Sequence, residues 1–206
     1  MALRKPVRPL DPSLDAAPAA DIHTLTAALA APESAERRRV ARELGAFPAA
    51  ASLLCEQLCL EPAASVRAVI LTSLIRIGSP AVVAGLLPLL RSENSGLRNA
   101  AIEVLQEMPA EVEPHVAALL ADPDSDVRIL TVNLLSLLPH PKAPFWLSQV
   151  VAQDPHVNVC AAAIDGLAEI GDAQAVAPLR TLPERFPEVP FIRFAVAAAL
   201  RRIGDA

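Results

Sequence analysis

The sequence has few aromatic residues. It contains no tyrosine, one tryptophan and five phenylalanines, although 53% of its 206 residues are hydrophobic. A core of this composition must be built mainly from Ala, Leu, Val and Ile. Ala and Leu have high helix propensity, whereas β-sheets favour aromatic and β-branched side chains. The composition therefore predicts an all-α fold.

The chain also lacks an excess of positive charge and any long apolar run. Its formal net charge is −5, which argues against nucleic-acid binding because such proteins use Lys and Arg to displace counterions. Apolar stretches are interrupted by Pro or charge, so we expect no membrane span. The start, MALRKPVRPLDPS, has no apolar run after it and does not resemble a secretory signal. Three cysteines are too few for a disulfide framework. We expect a bacterial, cytoplasmic protein.

Motifs for catalysis are missing as well. The sequence has no Gly-rich phosphate loop, no HExxH and no GxSxG. Cys55 and Cys59 are four residues apart, as are His156 and Cys160, but a closed zinc site needs four ligands. These side chains are better interpreted as packing residues. We therefore expect no enzyme activity, no cofactor and no metal.

What the sequence does contain is an internal repeat of about 30 residues. Six positions align as anchors: Arg37, Arg67, Arg98, Arg128, Cys160 and Arg193. Seven residues after each anchor stands a leucine: Leu44, Leu74, Leu105, Leu135, Leu167 and Leu200. Apolar residues also recur one before and three and ten after the anchors, which is a helical period. Each anchor helix ends at a Gly or Pro, residues that stop helices.

A second helical segment lies between successive anchor helices. These segments cover about 21–31, 49–60, 80–91, 110–121, 143–153 and 173–186. One helix pair cannot bury its apolar faces alone, but stacked pairs can. We therefore predict an α-α superhelix of about six helix pairs over residues 21–206. Residues 1–20, which contain several prolines, are predicted to form a flexible arm.

Two of these segments resemble HEAT repeats, in particular the short type first described in phycobilin lyases. They are PDSDVRILTVNLLSLLP (123–139) and VNVCAAAIDGLAEIGDAQAVAPL (157–179). The resemblance implies a HEAT-like solenoid in which the anchor arginines join a ladder of hydrogen bonds between repeats. Because Cys160 replaces the arginine in the fifth repeat, we expect the ladder to break there.

The resemblance also implies that the anchor helices line the concave side of the solenoid, where a partner would bind. Solvent-facing positions on these helices vary between repeats while the buried positions stay uniform. This variation is typical of a scaffold that presents a specific surface, although an ordinary solvated face would also vary. The predicted partner-binding residues are Arg42, Thr72, Arg76, Asn99, Glu103, Glu107, Asn133, Asp165 and Glu169.

Trp146, the single tryptophan, follows the irregular loop HPKAPFW (140–146). It is interpreted either as a packing residue or as an aromatic anchor for a partner. Between Glu93 and Asp126 there are eight acids and one base, Arg98, which predicts a partner with a basic element. The last helix carries Phe191 and Phe194, and we expect it to pack on a second copy or on another protein.

Three functions remain to be compared. The first is a non-catalytic scaffold or adaptor that holds a partner protein on its concave face. The second is a phycobilin lyase-like or other cofactor-handling accessory protein, which the short HEAT type allows. The third is DNA-damage recognition, as in HEAT-like glycosylases, which the acidic face disfavours. The sequence favours the scaffold.

Overall fold

The computed structural model describes residues 21–204, and the proposed arm at 1–20 lies outside them. Residues 21–204 contain α-helices and short 3-10 turns and no β-strand, as predicted. The helices are Ile22–Ala28 (α1), Ser34–Leu44 (α2), Ala51–Leu60 (α3), Ala64–Ile77 (α4), Pro80–Leu86 (α5), Ser95–Leu105 (α6), Pro109–Val112 (α7), Val116–Leu120 (α8), Ser125–Leu137 (α9), Ala143–Gln153 (α10), Val157–Ile170 (α11), Val176–Arg185 (α12) and Pro190–Gly204 (α13).

These helices form six successive pairs, which confirms the predicted repeat. The anchor helices α2, α4, α6, α9, α11 and α13 pack in chain order and form one layer, called here the second-helix layer. The other layer contains α1, α3, α5, α7 with α8, α10 and α12. The chain is therefore an α-helical solenoid in which each repeat contributes one helix, or a broken helix, to each layer.

Proline and glycine set the helix ends. Gly78 ends α4 in the left-handed conformation, with φ of 50°, which costs glycine little. Pro88 lies inside the next helical segment, and the α-helix there gives way to a 3-10 turn at Leu87–Arg91. Pro114 has a similar effect, since a 3-10 turn at Glu113–His115 separates α7 from α8. The fourth repeat thus has a broken first helix.

The predicted leucine column forms the centre of the core. Leu44, Leu74, Leu105, Leu135 and Leu167 have no exposed surface. Leu200 is only partly buried, because no later helix covers α13 within residues 21–204. None of the helices in this range has the length and apolarity needed to cross a bilayer.

The spacing of the second-helix layer varies along the chain. α2 packs closely on α4, and α9, α11 and α13 pack closely on one another, but α6 makes few contacts with α4 and α9. At the close interfaces a small residue eight after one anchor meets a small residue six after the next. Gly45 lies against Ser73 in this way, and Ser136 against Gly166.

The positions around α6 that correspond to these small pairs hold larger residues. They are Ile75 with Val104 before α6, and Gln106 with Leu134 after it. Larger side chains keep neighbouring helix axes further apart. The layer is therefore dense at both ends and open around α6.

Candidate partner-binding face

The predicted partner-binding residues of the anchor helices all lie on the surface of the second-helix layer. Each of them is exposed, since each lies opposite the buried leucine of its own helix. We call this surface the second-helix face. It consists of Arg42, Thr72, Arg76, Asn99, Glu103, Glu107, Asn133, Asp165 and Glu169.

Charge on this face changes sign along the solenoid. Arg42 and Arg76 occupy the first two repeats, and Glu103 and Glu107 the third. Further along, Glu169 forms an ion pair with Arg202 of α13, with a nitrogen–oxygen distance of 2.6 Å. The face therefore presents arginines at α2 and α4 and exposed carboxylates at α6.

Not all acids of the central segment contribute to this charge. Asp122 is buried and forms an ion pair with Arg91. Glu113 contacts Lys142 at 2.6 Å and His140 at 3.2 Å, and the hydrogen bond from Lys142 lowers the pKa of Glu113 below its usual value. The acidity predicted from residues 93–126 is therefore partly neutralised. The exposed acids of this range that have no ion pair within residues 21–204 are Glu93, Glu103, Glu107, Asp124 and Asp126.

Two cavities flank the loosely packed α6. The one between α4 and α6 has a volume of about 560 Å³, and its lining includes Thr72, Asn99 and Glu103. The one between α6 and α9 has about 420 Å³ and is lined by Arg91, Asp126 and neighbouring residues. The open packing around α6 thus places three predicted residues at the mouth of one groove.

The arginine ladder between repeats is formed by two of the anchor arginines. Arg37 donates two hydrogen bonds to Glu61 of the next repeat, at 2.9 and 2.8 Å. Arg128 does the same to Asp154, at 2.7 and 3.2 Å. Each anchor arginine from the first to the fourth repeat also donates to the backbone carbonyl six residues before it. Arg37 and Arg128 therefore form the bonds between repeats that the resemblance implied. The hydrogen bonds that Arg67 and Arg98 form within residues 21–204 go to the loop before their own helix.

In the fifth repeat the corresponding carbonyl is that of Asp154, and the anchor is Cys160. The buried Cys160 thiol lies 3.3 Å from this carbonyl oxygen, and burial raises the pKa of Cys160 to about 11, so the thiol keeps its proton. The guanidinium of Arg185 in α12 also donates to the Asp154 carbonyl and to that of Val151. An arginine from another helix thus replaces the missing anchor. The aligned positions of the repeats could not reveal this replacement, because Arg185 is not at any of those positions.

Trp146 lies in the opposite layer, in α10, and is partly exposed. Its ring stacks on His140 with a centroid distance of 4.7 Å. It also lines a cavity of about 520 Å³ between α8 and α10, together with Val116, Leu120 and Val150. Trp146 therefore packs on His140 and also borders a groove. It does not lie on the same face as the other predicted partner-binding residues.

The cavity at Trp146 follows from the broken helix of the fourth repeat. Neighbouring first helices pack closely, as α10 does on α12, but the short α8 does not pack in this way on α10. The repeat pattern did not predict the groove residues Val116, Leu120 and Val150. The signal for them was Pro114, which interrupts the helix.

Stacked helix pairs with uniform cores and varied surface residues define an α-helical repeat protein. The family model for HEAT repeats matches residues 22–106, 51–136 and 144–206. The chain belongs to the HEAT repeat family. No curated protein matches its sequence.

Similar solved structures are repeat or engineered proteins of low identity. An engineered protein is 18% identical, with 91% of this chain and 100% of that chain covered and a TM-score of 0.43. A designed armadillo repeat protein is 14% identical, with 89% and 100% covered and a TM-score of 0.42. The complex of CpcE and CpcF of phycocyanin lyase from Nostoc is 18% identical, with 96% and 100% covered and a TM-score of 0.32. Family membership rests on the family model and not on these likenesses.

Proposed function

We propose that this chain is a non-catalytic scaffold that binds a partner protein on the second-helix face. The observation that carries the proposal is the contrast between the two sides of each anchor helix. The leucine side is buried and uniform, whereas the exposed side presents a different set of charged and polar residues in each repeat. Such variation supports recognition of one specific surface.

The partner we propose carries a basic element that meets α6. Glu103 and Glu107 are exposed on one side of this helix, and they form no ion pair within residues 21–204. Unpaired carboxylates attract a basic segment and orient it during encounter. The location we propose for this scaffold is the bacterial cytoplasm.

The test is affinity capture with mass spectrometry, in which the double variant Glu103→Lys and Glu107→Lys is compared with the unchanged protein. The matched control is Glu184→Lys with Glu188→Lys, which changes the net charge equally at exposed positions away from this face. We expect the partner to be lost from the first variant and kept by the control. Equal recovery from both variants would show that the face is wrongly assigned.

A cofactor-handling accessory protein is the second candidate, and the cavity beside Trp146 favours it. Its volume of about 520 Å³ lies in the range of small-molecule sites. Trp146 is the single tryptophan, so its fluorescence reports on this cavity directly. Titration with a free linear tetrapyrrole would quench that fluorescence and shift the pigment's absorbance if this candidate is right, and would change neither if it is wrong.

A further inference from the structure

We propose that the cavity between α2 and α4 binds carboxylates of an acidic peptide segment. This inference rests on the proposed function, because it specifies the partner of the same face. The partner segment would then be bipolar, with its acidic end over α2 and α4 and its basic end over α6. Charge order along the segment would fix its direction on the solenoid.

The cavity is small and its lining is basic. Its volume is about 260 Å³, and it is lined by Arg42, Val69, Thr72, Ser73 and Arg76. Two of these five residues are arginines and none is an acid. The two arginines come from successive repeats, so the cavity that both of them line depends on the close packing of α2 on α4.

Both arginines have free hydrogen-bonding capacity. Within residues 21–204, neither Arg42 nor Arg76 forms an ion pair. Their neighbours differ, since Arg37 is bonded to Glu61, and Arg39 to Glu36 and Glu43. Arg38, which is exposed on α2, also has no ion pair within these residues. Arg42 and Arg76 differ from it because they line one cavity together.

No other side chain in the cavity offers a proton. The Thr72 hydroxyl donates to the carbonyl of Ala68 at 3.0 Å, and the Ser73 hydroxyl to that of Ala41 at 2.8 Å. The donors available to a ligand are therefore the guanidiniums. Their planar fork matches a carboxylate, which accepts two parallel hydrogen bonds from one arginine.

Helix direction favours a carboxylate over a phosphate. Arg42 and Arg76 lie in the last turns of α2 and α4, where the helix dipole is negative. Phosphates are typically held at the opposite, N-terminal end, where backbone amides point at the ligand. The negative helix ends oppose the binding of any anion, but they oppose a singly charged carboxylate less than a doubly charged phosphate.

Three fluorescein-labelled peptides test this site by fluorescence polarisation at low salt. One carries four glutamates, one carries four lysines, and one carries both groups joined by a glycine–serine spacer. The site variant is Arg42→Gln with Arg76→Gln. Its control is Arg180→Gln with Arg193→Gln, which removes the same charge at exposed positions elsewhere.

We expect the site variant to bind the glutamate and bipolar peptides about fivefold more weakly, as loss of exposed charged contacts implies. Its affinity for the lysine peptide should not fall, and the control should bind all three like the unchanged protein. Equal weakening by site variant and control would overturn the inference. A fourth peptide carries phosphoserine in place of glutamate, and tighter binding of this peptide than of the glutamate peptide through the same two arginines would also overturn the inference.

A different variant tests the proposed function separately from the carboxylate site. Glu103→Gln with Glu107→Gln should weaken the lysine and bipolar peptides and spare the glutamate peptide. If the lysine peptide is unaffected, the basic-element proposal is wrong, although the carboxylate site still stands on the glutamate result. Arg42 and Arg76 are exposed, so matching thermal unfolding of the variants verifies that folding is unchanged.

Discussion

Gly166 of α11 lies directly against Ser136 of α9, so close that a Cβ on Gly166 would overlap the Ser136 hydroxyl oxygen. The same hypothetical Cβ would stand 3.0 Å from a methyl carbon of Leu147. Glycine at this position therefore sets the distance between the two helices. The close pair Gly45 and Ser73 does the same between α2 and α4.

The first prediction concerns this contact. Alanine is normally favoured over glycine within a helix by about 1 kcal/mol. We nevertheless expect Gly166→Ala to lower the free energy of unfolding by about 1–3 kcal/mol, because overpacking forces α9 and α11 apart. Urea denaturation measures the change. The cost should shrink when Ser136→Gly is also present, and an equal cost in both backgrounds would contradict the role of this pair.

The second prediction concerns Arg185. It donates charged hydrogen bonds to two carbonyls at the end of α10, and such bonds contribute about 1.5–3 kcal/mol each when formed to charged groups. Because Arg185 is itself exposed, the two bonds are weakened by water, and we expect Arg185→Ala to cost about 1–3 kcal/mol in total. Arg180→Ala, an exposed change on the same helix, should cost much less. Similar denaturation midpoints for the two variants would count against the replacement of the anchor.

The third prediction concerns pH. The hydrogen bond from Arg37 lowers the pKa of Glu61 from 4.5 to about 2, against the opposing effect of burial. A carboxyl whose pKa is lower in the folded state stabilises the protein above its unfolded pKa. That stabilisation is complete above pH 4.5 and is lost as the pH falls towards 2.

Glu61→Gln should remove this contribution. We expect it to lower the free energy of unfolding at neutral pH by about 1–3 kcal/mol, since it leaves Arg37 without its carboxylate. It should also flatten the decline in stability between pH 4.5 and 2, followed by urea denaturation at each pH. Glu36→Gln is the control, because its pair with Arg39 is exposed and such pairs contribute little. A decline as steep in Glu61→Gln as in the unchanged protein would refute the assignment.

Sequence columns predicted the helix pairs and the core because each repeat places its leucine at the same helical position. They also predicted the exposed residues, which lie opposite that leucine. The opening around α6 was not predicted, since it depends on which residues meet between repeats. Ile75 and Val104 correspond to Gly45 and Ser73, but only the packed helices reveal that pairing.

The aligned repeat positions also did not predict that Arg185 takes the place of the missing anchor arginine. Replacement of the anchor by Cys160 predicted a broken ladder, and within residues 21–204 no ion pair links this position to the next repeat. The carbonyl of Asp154 nevertheless accepts a hydrogen bond from Arg185, which lies in α12 and not in an anchor helix. A lost side chain predicts an unmet hydrogen-bonding need, but it does not indicate which distant residue meets it.

The last prediction concerns association through α13. Phe191 and Phe194 are 55% and 69% exposed, and they lie three residues apart on one face of the helix. We expect this face to bury its rings against a second copy or another protein, because exposed aromatic pairs favour interfaces.

Sedimentation velocity at rising protein concentration should show self-association for the unchanged chain. Phe191→Ser with Phe194→Ser should abolish it, whereas Leu60→Ser with Leu137→Ser removes exposed apolar surface elsewhere and should leave it unchanged. A sedimentation coefficient that stays monomeric at high micromolar concentration would exclude the second copy and leave another protein as the occupant.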